Sequence, residues 1–435
     1  MKILRMFCVL VFLLSSIAMA WAEDLELTMK EAVEIGLASN PSILAAKEAL
    51  MASDYAVKSS KAAFGPAFST TYGYTRLDER PQAMGKTAGT RDNWQLQFNI
   101  HQPLFTGFNL LTTHEKALLQ KEQVISQIEN AELQLAMAIQ NSFMSLLQAR
   151  ENVRSAEDSL TRLKSHLQVN TAFYEVGLRP KLDVLQAEVD VAKAEQVLVA
   201  AENAVNTYVA QLNTLLGKDV NDETIYKGSL GYVPIPVALE DCLYRAAQQR
   251  PDLTIARQTV MLAQKDVTLA GVPYYPQVGA DVNYGRAGKD PWVKGGKYHT
   301  ASEWNAQLGM QWTFFEWGKT YYGQQQAKKN VSRLEQEYRN LENEADFEVK
   351  RAFLQTQEAE KRITAAKQGL VAARESLRMA TARYEAQVGT NTDVLDALAA
   401  QTASESNLNE ALADHGRATV NLYGAMGLHT PDLMH

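Results

Sequence analysis

The chain repeats its own residue pattern at a constant offset of 210 positions. The matched pairs include Pro41 and Pro251, Trp94 and Trp304, Asp183-Val184-Leu185 and Asp393-Val394-Leu395, and Leu216-Gly217 and Met426-Gly427. A register that holds over such a length predicts two structurally equivalent halves within one fold. We therefore assign residues 23–230 to a first structural repeat and residues 231–435 to a second.

Residues 1–22 have the pattern of a secretory signal peptide. Lys2 and Arg5 precede an apolar run, and Ala20-Trp21-Ala22 offers a cleavage site between small residues. After this segment, no stretch approaches the roughly 18 uninterrupted apolar residues that a spanning helix needs. Cleavage leaves Cys242 as a single cysteine, which we expect to be a small buried hydrophobic residue. The sequence thus predicts an exported chain without a helical membrane anchor.

Composition and motifs exclude several classes of function. With 46% hydrophobic and 21% charged residues, the chain is predicted to fold without being a bundle of apolar helices. A net charge of -7 and the lack of a dense basic patch predict that it binds no nucleic acid. Its seven histidines are scattered, and no metalloprotease or phosphate-binding motif occurs. We expect neither an enzyme nor a cofactor or metal site.

Four segments of about ten residues alternate apolar and polar side chains with a period of two, in predicted hairpins over residues 67–102 and 277–313. This length suits a tilted strand that crosses a bilayer. The positions predicted to face lipid are Trp94, Leu96, Phe98, Ile100, Trp304, Leu308, Met310 and Trp312. The positions predicted to face a water-filled lumen are Gln95, Gln97, Asn99, Asp281, Asn283, Asn305 and Gln307.

The spacing alone fits an ordinary antiparallel sheet with one face on a protein core equally well. Two features favour a membrane: aromatic residues mark the strand ends, and long polar segments, residues 77–91 and 287–302, link the strands of each hairpin. Four strands cannot close a barrel, and open edges would leave unpaired backbone groups in hydrocarbon. Closure requires several chains, and three copies give twelve strands, an even number as in known barrels.

Long helices are predicted over residues 107–216 and 318–427 because apolar residues recur there at intervals of seven. One such column is Ile128, Leu135, Ser142, Ala149, Ala156 and Leu163, and another is Ile363, Leu370, Leu377 and Tyr384. A sustained seven-residue repeat implies a left-handed supercoil with a partner helix. A soluble coiled coil explains the repeat equally well, but it leaves the four strands without a purpose.

Several motifs together resemble the TolC-type outer-membrane efflux proteins, the outer membrane factors, from about Leu27 to Leu428. They are Asn40-Pro41, Arg250-Pro251, Gln102-Pro103-Leu104-Phe105-Thr106-Gly107 and Thr313-Phe314-Phe315-Glu316-Trp317-Gly318. The resemblance implies a mainly α protein with a small β part. In it, a homotrimer forms a twelve-stranded β-barrel in the outer membrane of a Gram-negative bacterium. Its long antiparallel coiled-coil helices form an α-barrel in the periplasm. The implied function is export of solutes from the periplasm or from an inner-membrane transporter.

The same resemblance implies a gate at the Asp-Val-Leu-Asp stretch. Asp393 and Asp396 stand at i and i+3 on one helical face, and a trimer would gather six carboxylates that favour cations. Asp183 is the first-half counterpart, but Gln186 replaces the second acid there, and Asn391 occupies the place of a gate arginine found in some relatives. The alternative is a capping role, with Asp393 as helix N-cap and Asp396 as its N3 acid.

The turns between the long helices are expected to contact a periplasmic adaptor protein, the membrane fusion protein of the pump. These residues are Val176, Gly177, Leu178, Val388, Gly389 and Thr390. Glycine in a turn is explained by backbone freedom alone, whereas exposed valine and leucine favour a partner. The competing function is a non-conducting periplasmic coiled-coil structural or adaptor protein. An adaptor, however, is expected to carry only one hairpin and a compact β-rich domain.

Overall fold

The computed structural model describes residues 26–429, so the predicted signal peptide lies outside the described residues. The first half contains α1 (Met29–Ser39), α2 (Pro41–Ala62), β1 (Ala67–Arg76), β2 (Gln82–Ala83), β3 (Lys86–Thr87), β4 (Asp92–Thr106), α3 (Asn109–Glu175) and α4 (Lys181–Leu215). The second half contains α5 (Leu239–Gln249), α6 (Pro251–Ala270), a 3-10 turn (Val272–Tyr274), β5 (Gln277–Gly288), β6 (Glu303–Gln311), α7 (Lys319–Glu385) and α8 (Asn391–Ala425).

The helix bounds reproduce the sequence offset of 210. Helices α3 and α7 each have 67 residues, and α4 and α8 each have 35. At about 1.5 Å per residue, each longer helix extends about 100 Å. Within residues 26–429, no helix carries an apolar stretch that would let it cross a membrane. The predicted mainly α fold is confirmed.

Helix starts follow local sequence signals. The Thr28 side chain accepts from the backbone N–H of Glu31, while the Glu31 carboxylate accepts from the backbone N–H of Thr28 at 2.8 Å. This reciprocal capping box satisfies two N–H groups that a helix start otherwise leaves unpaired. Helices α2 and α6 begin at prolines, whose missing N–H costs nothing at the first helical position.

One compact unit comprises residues 26–44, 131–250 and 345–429. Its apolar clusters are equivalent between the two halves. In the first, Ala32, Ile139, Leu212 and Leu216 are buried, and in the second Cys242, Val349, Leu422 and Met426 take the corresponding places 210 residues later. Each fully buried aliphatic side chain contributes about 1.5–3 kcal/mol to stability.

Cys242 is a free thiol with no exposed surface, and burial raises its pKa. It stands where the first half has Ala32, in the cluster of α5 with α7 and α8. A raised pKa and the lack of solvent contact both suppress thiolate chemistry. The predicted role as a small buried hydrophobic residue is confirmed.

The second compact unit comprises residues 45–130 and 251–344 and contains a four-stranded antiparallel sheet with the order β1-β4-β5-β6. Both predicted hairpins form, and β4 pairs with β5 so that the two halves share one sheet. Strand β4 is longer than predicted, because it continues past Gln102 to Thr106. Pro103 has no N–H for the ladder, and the register shifts between Pro103 and Phe105 before pairing resumes with Val278.

The links between the paired strands contain strand pairings of their own. Residues 77–91 contain the small hairpin β2–β3, with a left-handed Met84-Gly85 turn. Residues 289–302 fold back on the end of β5, where Gly288 forms a bridge with Gly295. The helices of this unit are joined by ion pairs, including Lys265 with Glu115 at 2.7 Å and Lys116 with Asp266.

Candidate functional site

The sheet separates its side chains into two chemically distinct faces. Directly paired residues project to the same side, so the register decides which residues share a face. The pairs Asn99–Asn283, Asn283–Asn305 and Asp281–Gln307 put every predicted lumen position on one side, including Gln95 and Gln97. The other side carries Trp94, Leu96, Phe98, Ile100, Trp304, Leu308 and Met310. Trp312 lies just after β6 ends at Gln311.

Amide side chains link three strands across the polar face. Asn99 Nδ2 donates to Asn283 Oδ1 at 2.6 Å, and Asn283 Nδ2 donates to Asn305 Oδ1 at 3.1 Å. One row away, His101 Nδ1 lies 2.8 Å from Asp281 Oδ1. These groups still expose donors and acceptors to solvent, so the polar face is suited to contact with water rather than with a protein core.

The turns at the helix ends present apolar side chains to solvent. Val176, Leu178 and Val388 are 69%, 52% and 68% exposed. Gly177 adopts φ 76, and the residue 210 positions later is Gln387, which adopts φ 64. Gly389 is not in this left-handed region; it is buried, and a Cβ there would lie 3.1 Å from the backbone N of Tyr384. Gly389 lies two positions after the equivalent of Gly177, and it has a different role, because it packs against the backbone instead of supplying the left-handed residue of the turn.

A polar cluster, buried except for the half-buried Gln186, joins all four long helices near these turns. We call it the tip cluster, and it comprises His166 and Asn170 of α3, Gln186 of α4, Tyr384 of α7 and Asn391 of α8. The Asn391 Oδ1 atom accepts from His166 Nε2 at 2.7 Å and from Asn170 Nδ2 at 2.8 Å. Its Nδ2 donates to Gln186 Oε1 at 3.0 Å and to the Asp183 carbonyl at 3.4 Å.

Two further contacts close the cluster. The Tyr384 hydroxyl donates to Asn170 Oδ1, and the Arg179 guanidinium lies 4.6 Å from the centre of the Tyr384 ring. Arg179 also donates to the Gly389 carbonyl at 2.9 Å. Nearly every polar atom therefore has a partner, and such networks fix one arrangement of the helices that carry them.

The burial of the tip cluster shifts the proton affinities of its members. His166 is 8% exposed, and burial lowers its pKa below the ordinary 6.5, opposed by the Asn391 hydrogen bond and the Asp183 charge. Burial likewise raises the pKa of Tyr384. A neutral imidazole with its hydrogen on Nε2 donates to Asn391 Oδ1, which can only accept. The cluster is therefore built around an uncharged histidine.

The predicted gate acids occupy three different environments. Asp393 is the N3 residue of a capping box with Thr390, whose N–H lies 3.0 Å from the Asp393 carboxylate, and this backbone hydrogen bond lowers the Asp393 pKa. The capping alternative therefore named the wrong residues, because Thr390 is the N-cap and Asp393, not Asp396, is the N3 acid. Asp396 is exposed, and Asp183 contributes its carbonyl to the tip cluster.

Sequence reasoning did not predict that the five residues of the tip cluster meet. A signal was present: Asn170 continues the seven-residue column after Leu163, and Tyr384 ends the column of Leu377. A polar residue at a core position of a coiled coil specifies register. His166 carried no comparable signal, and Gln186 and Asn391 stood out only as departures from the gate motif. Their contacts, which join residues more than 200 positions apart, follow from the tertiary structure.

Comparison with known proteins identifies the family. The family model described as outer membrane efflux protein matches residues 33–218 and 242–428. The chain belongs to the outer membrane efflux protein family. The TolC outer membrane protein of Vibrio cholerae is 24% identical over 429 residues, which cover 95% of this chain and 93% of that protein.

Solved structures agree at the level of the fold. The CmeC outer membrane channel of Campylobacter jejuni has a TM-score of 0.80 at 16% identity, over 93% of this chain and 87% of that chain. The outer membrane protein VceC of Vibrio cholerae has a TM-score of 0.77 at 17% identity, over 92% and 97% of the two chains.

Family membership makes this chain an outer-membrane export channel that works with an efflux pump, and a non-conducting adaptor is not favoured. The family is one of channel-forming transport proteins rather than of known enzymes. Among residues 26–429, no group of three or more His, Cys, Asp or Glu side chains is arranged to hold a metal ion.

Proposed function

We propose that three copies of this chain join edge to edge into a twelve-stranded barrel that conducts solutes across the outer membrane. The observation that carries this proposal is a sheet with one polar and one apolar face whose outer strands, β1 and β6, each pair on one side only. An unpaired strand edge in hydrocarbon costs several kcal/mol per backbone group, so each edge requires a strand from a neighbouring copy.

The two faces give the barrel its inside and outside. The amide row of Asn99, Asn283 and Asn305 would line the lumen, where its spare donors and acceptors hydrate the pore and bind solutes weakly. Weak binding suits conduction, since what enters must also leave. The row of Trp94, Leu96 and Phe98 would face the acyl chains, with aromatic residues at the interface.

The hydrogen bonds of the tip cluster are proposed to hold the periplasmic gate closed. It joins the α3–α4 hairpin to the α7–α8 hairpin, and opening would require the two hairpins to separate. In the closed trimer, Asp393 and Asp396 of each copy would form the constriction. Its six carboxylates would favour cations. Asp183 contributes to the gate through its carbonyl, which accepts from Asn170 and Asn391, and through its charge, which favours the protonated form of His166.

The exposed Val176, Leu178 and Val388 side chains form the proposed contact with a periplasmic adaptor. Gly177 gives that surface its turn geometry, whereas Gly389 and Thr390 serve within the turn, since Gly389 is buried and Thr390 caps α8. The inner-membrane transporter would deliver solute through that adaptor. We also infer that residues 23–230 and 231–435 are the two structural repeats, as equal helix lengths in both halves support.

Electrophoresis and bilayer recording test this function together. The protein extracted from outer membranes is expected to run as a trimer without heating and as a monomer after boiling. In planar bilayers it is expected to give discrete conductance steps. A stable monomer in the absence of detergent, or the lack of any conductance from intact trimers, would contradict the proposal.

A further inference from the structure

Residues 289–294, Lys-Asp-Pro-Trp-Val-Lys, form a segment that follows β5 and folds back over the sheet. We call it the outer segment. A Cβ built on Gly288 would lie 2.9 Å from Val293 Cα and 3.1 Å from the Lys294 amide nitrogen. Gly288 is paired with Trp94, so a side chain there would project to the apolar face. The outer segment therefore covers the apolar face at the loop end of the sheet.

A second contact places the segment on the same face. The Tyr72 hydroxyl donates to the Pro291 carbonyl at 2.6 Å, and Tyr72 is paired with Leu96 of the apolar row. Val293 is only 4% exposed, whereas the neighbouring Trp292 is 74% exposed. The segment is thus anchored through one buried residue and one hydrogen bond, and it leaves its tryptophan free to contact its surroundings.

Residues 286–294 are net positive, whereas the whole chain is net negative. Arg286 is paired with Leu96 and so shares the apolar face, while the side chains of Lys289 and Lys294 are exposed. The only acid among residues 286–294 is Asp290, whose carboxylate accepts from the Trp292 amide at 3.2 Å. Residues 286–294 therefore carry a formal charge of +2, within a chain whose net charge is -7.

We propose that the outer segment binds the phosphate groups of lipids in the outer leaflet, with Trp292 at the headgroup level and Lys289 and Lys294 on the phosphates. The inference rests on the proposed function, in which the apolar face meets lipid. Tryptophan and basic side chains at the end of a lipid-facing strand match an anionic headgroup layer. Attraction of anionic solutes to the pore mouth is the competing role, and it would place these charges over the polar face instead.

Native mass spectrometry of the trimer with diphosphorylated lipid A as the probe tests the proposal. Each basic residue near an anionic surface contributes about 1 kcal/mol, so the K289Q/K294Q double variant is expected to bind lipid A about thirtyfold more weakly. The matched control is R80Q/K86Q, which removes the same charge from exposed positions of the other loop and is expected to bind as the unaltered protein does. Phosphatidylcholine is expected to bind all three proteins equally.

Equal lipid A affinity of K289Q/K294Q and the unaltered protein, with trimers intact, would overturn the proposal while leaving the channel function standing. The proposal would also be overturned if K289Q/K294Q bound lipid A unchanged but altered anion selectivity in neutral planar bilayers, because the charges would then act on solutes. Absence of trimers in the unaltered protein would instead refute the channel function itself.

Discussion

The Tyr384 hydroxyl of α7 donates a hydrogen bond to Asn170 Oδ1 of α3, a residue 214 positions earlier. The two residues are 1% and 0% exposed. Because they belong to different helical hairpins, any movement that separates the hairpins must break this bond. This hydrogen bond therefore stabilises the closed state of the proposed gate.

Replacing Tyr384 with Phe is expected to favour the open gate. A buried acceptor left without its donor costs about 1–3 kcal/mol, which corresponds to a rise of roughly fivefold to 150-fold in the ratio of open to closed gates. Open probability in planar bilayers measures the effect. Tyr174→Phe is the matched control, because Tyr174 occupies the equivalent first-half position and is exposed. Equal behaviour of the two variants would count against a role of this bond in gating.

Acid is expected to open the gate through His166. The closed cluster holds His166 neutral with a lowered pKa, so it binds fewer protons than an open tip in which the pKa returns to 6.5. Closed-state stability is therefore complete above pH 6.5 and is lost as pH falls from 6.5 towards the lowered pKa. The Asp183 charge faces the ring and opposes the lowering.

Open probability recorded between pH 7.5 and about 5 measures this response, in a range above the ordinary carboxylate pKa values. His166→Gln keeps an N–H donor without a titrating group, so its open probability is expected to be independent of pH in this range. His415→Gln is the control, because His415 is another buried histidine with a lowered pKa that lies outside the tip cluster. An unchanged pH response in His166→Gln would assign the titration to another group.

The carboxylate at Asp396 is expected to select cations without supporting the helix start. Two unit charges about 10 Å apart interact by about 0.4 kcal/mol in water, so the loss of three carboxylates is expected to lower cation selectivity several-fold. Asp396→Asn is expected to lower cation selectivity, measured by reversal potentials. Its thermal stability, measured by thermal unfolding, is expected to stay unchanged. Asp393→Asn is expected to change both, because Asp393 belongs to the capping box. Unchanged cation selectivity in the Asp393→Asn/Asp396→Asn double variant would leave Asp393 with its capping role alone.

Exposed apolar residues at the first turn are expected to bind the adaptor. The Val176→Ser/Leu178→Ser double variant is expected to lose cross-linking to a purified adaptor several-fold, because both apolar contact surfaces are removed. Trimer yield and conductance are expected to stay unchanged, since both side chains are exposed. Val233→Ser, at an exposed position outside the turns, serves as the control. Undiminished cross-linking would exclude this turn as the contact.

Gln387 is expected to destabilise the second turn. A non-glycine residue at φ 64 costs about 1–2 kcal/mol relative to an allowed conformation, so Gln387→Gly is expected to slow amide hydrogen exchange around residues 383–390. The reciprocal substitution Gly177→Ala, at φ 76, is expected to accelerate exchange around residues 172–179. Equal exchange rates before and after both substitutions would show that the turns tolerate this geometry without strain.

The sequence by itself determined the long helices and the two main hairpins, together with their order. The 210-residue offset reappears in the helix starts at Asn109 and Lys319. Alternation predicted a hairpin from residue 67, where β1 begins, because periodicity is a property of neighbouring residues. It also separated the polar strand face from the apolar one, since side chains alternate along any strand. Family membership agrees with these features.

Only the tertiary structure decided which distant side chains meet. Pairing of β4 with β5, the position of the outer segment over Gly288, and the contact of Asn391 with His166 each depend on register between segments far apart in the chain. A helix rotation of one residue, about 100°, would move Asn170 away from Tyr384 without changing any apolar spacing. The tip cluster therefore depends on how the four helices are rotated relative to one another, which no local sequence pattern encodes.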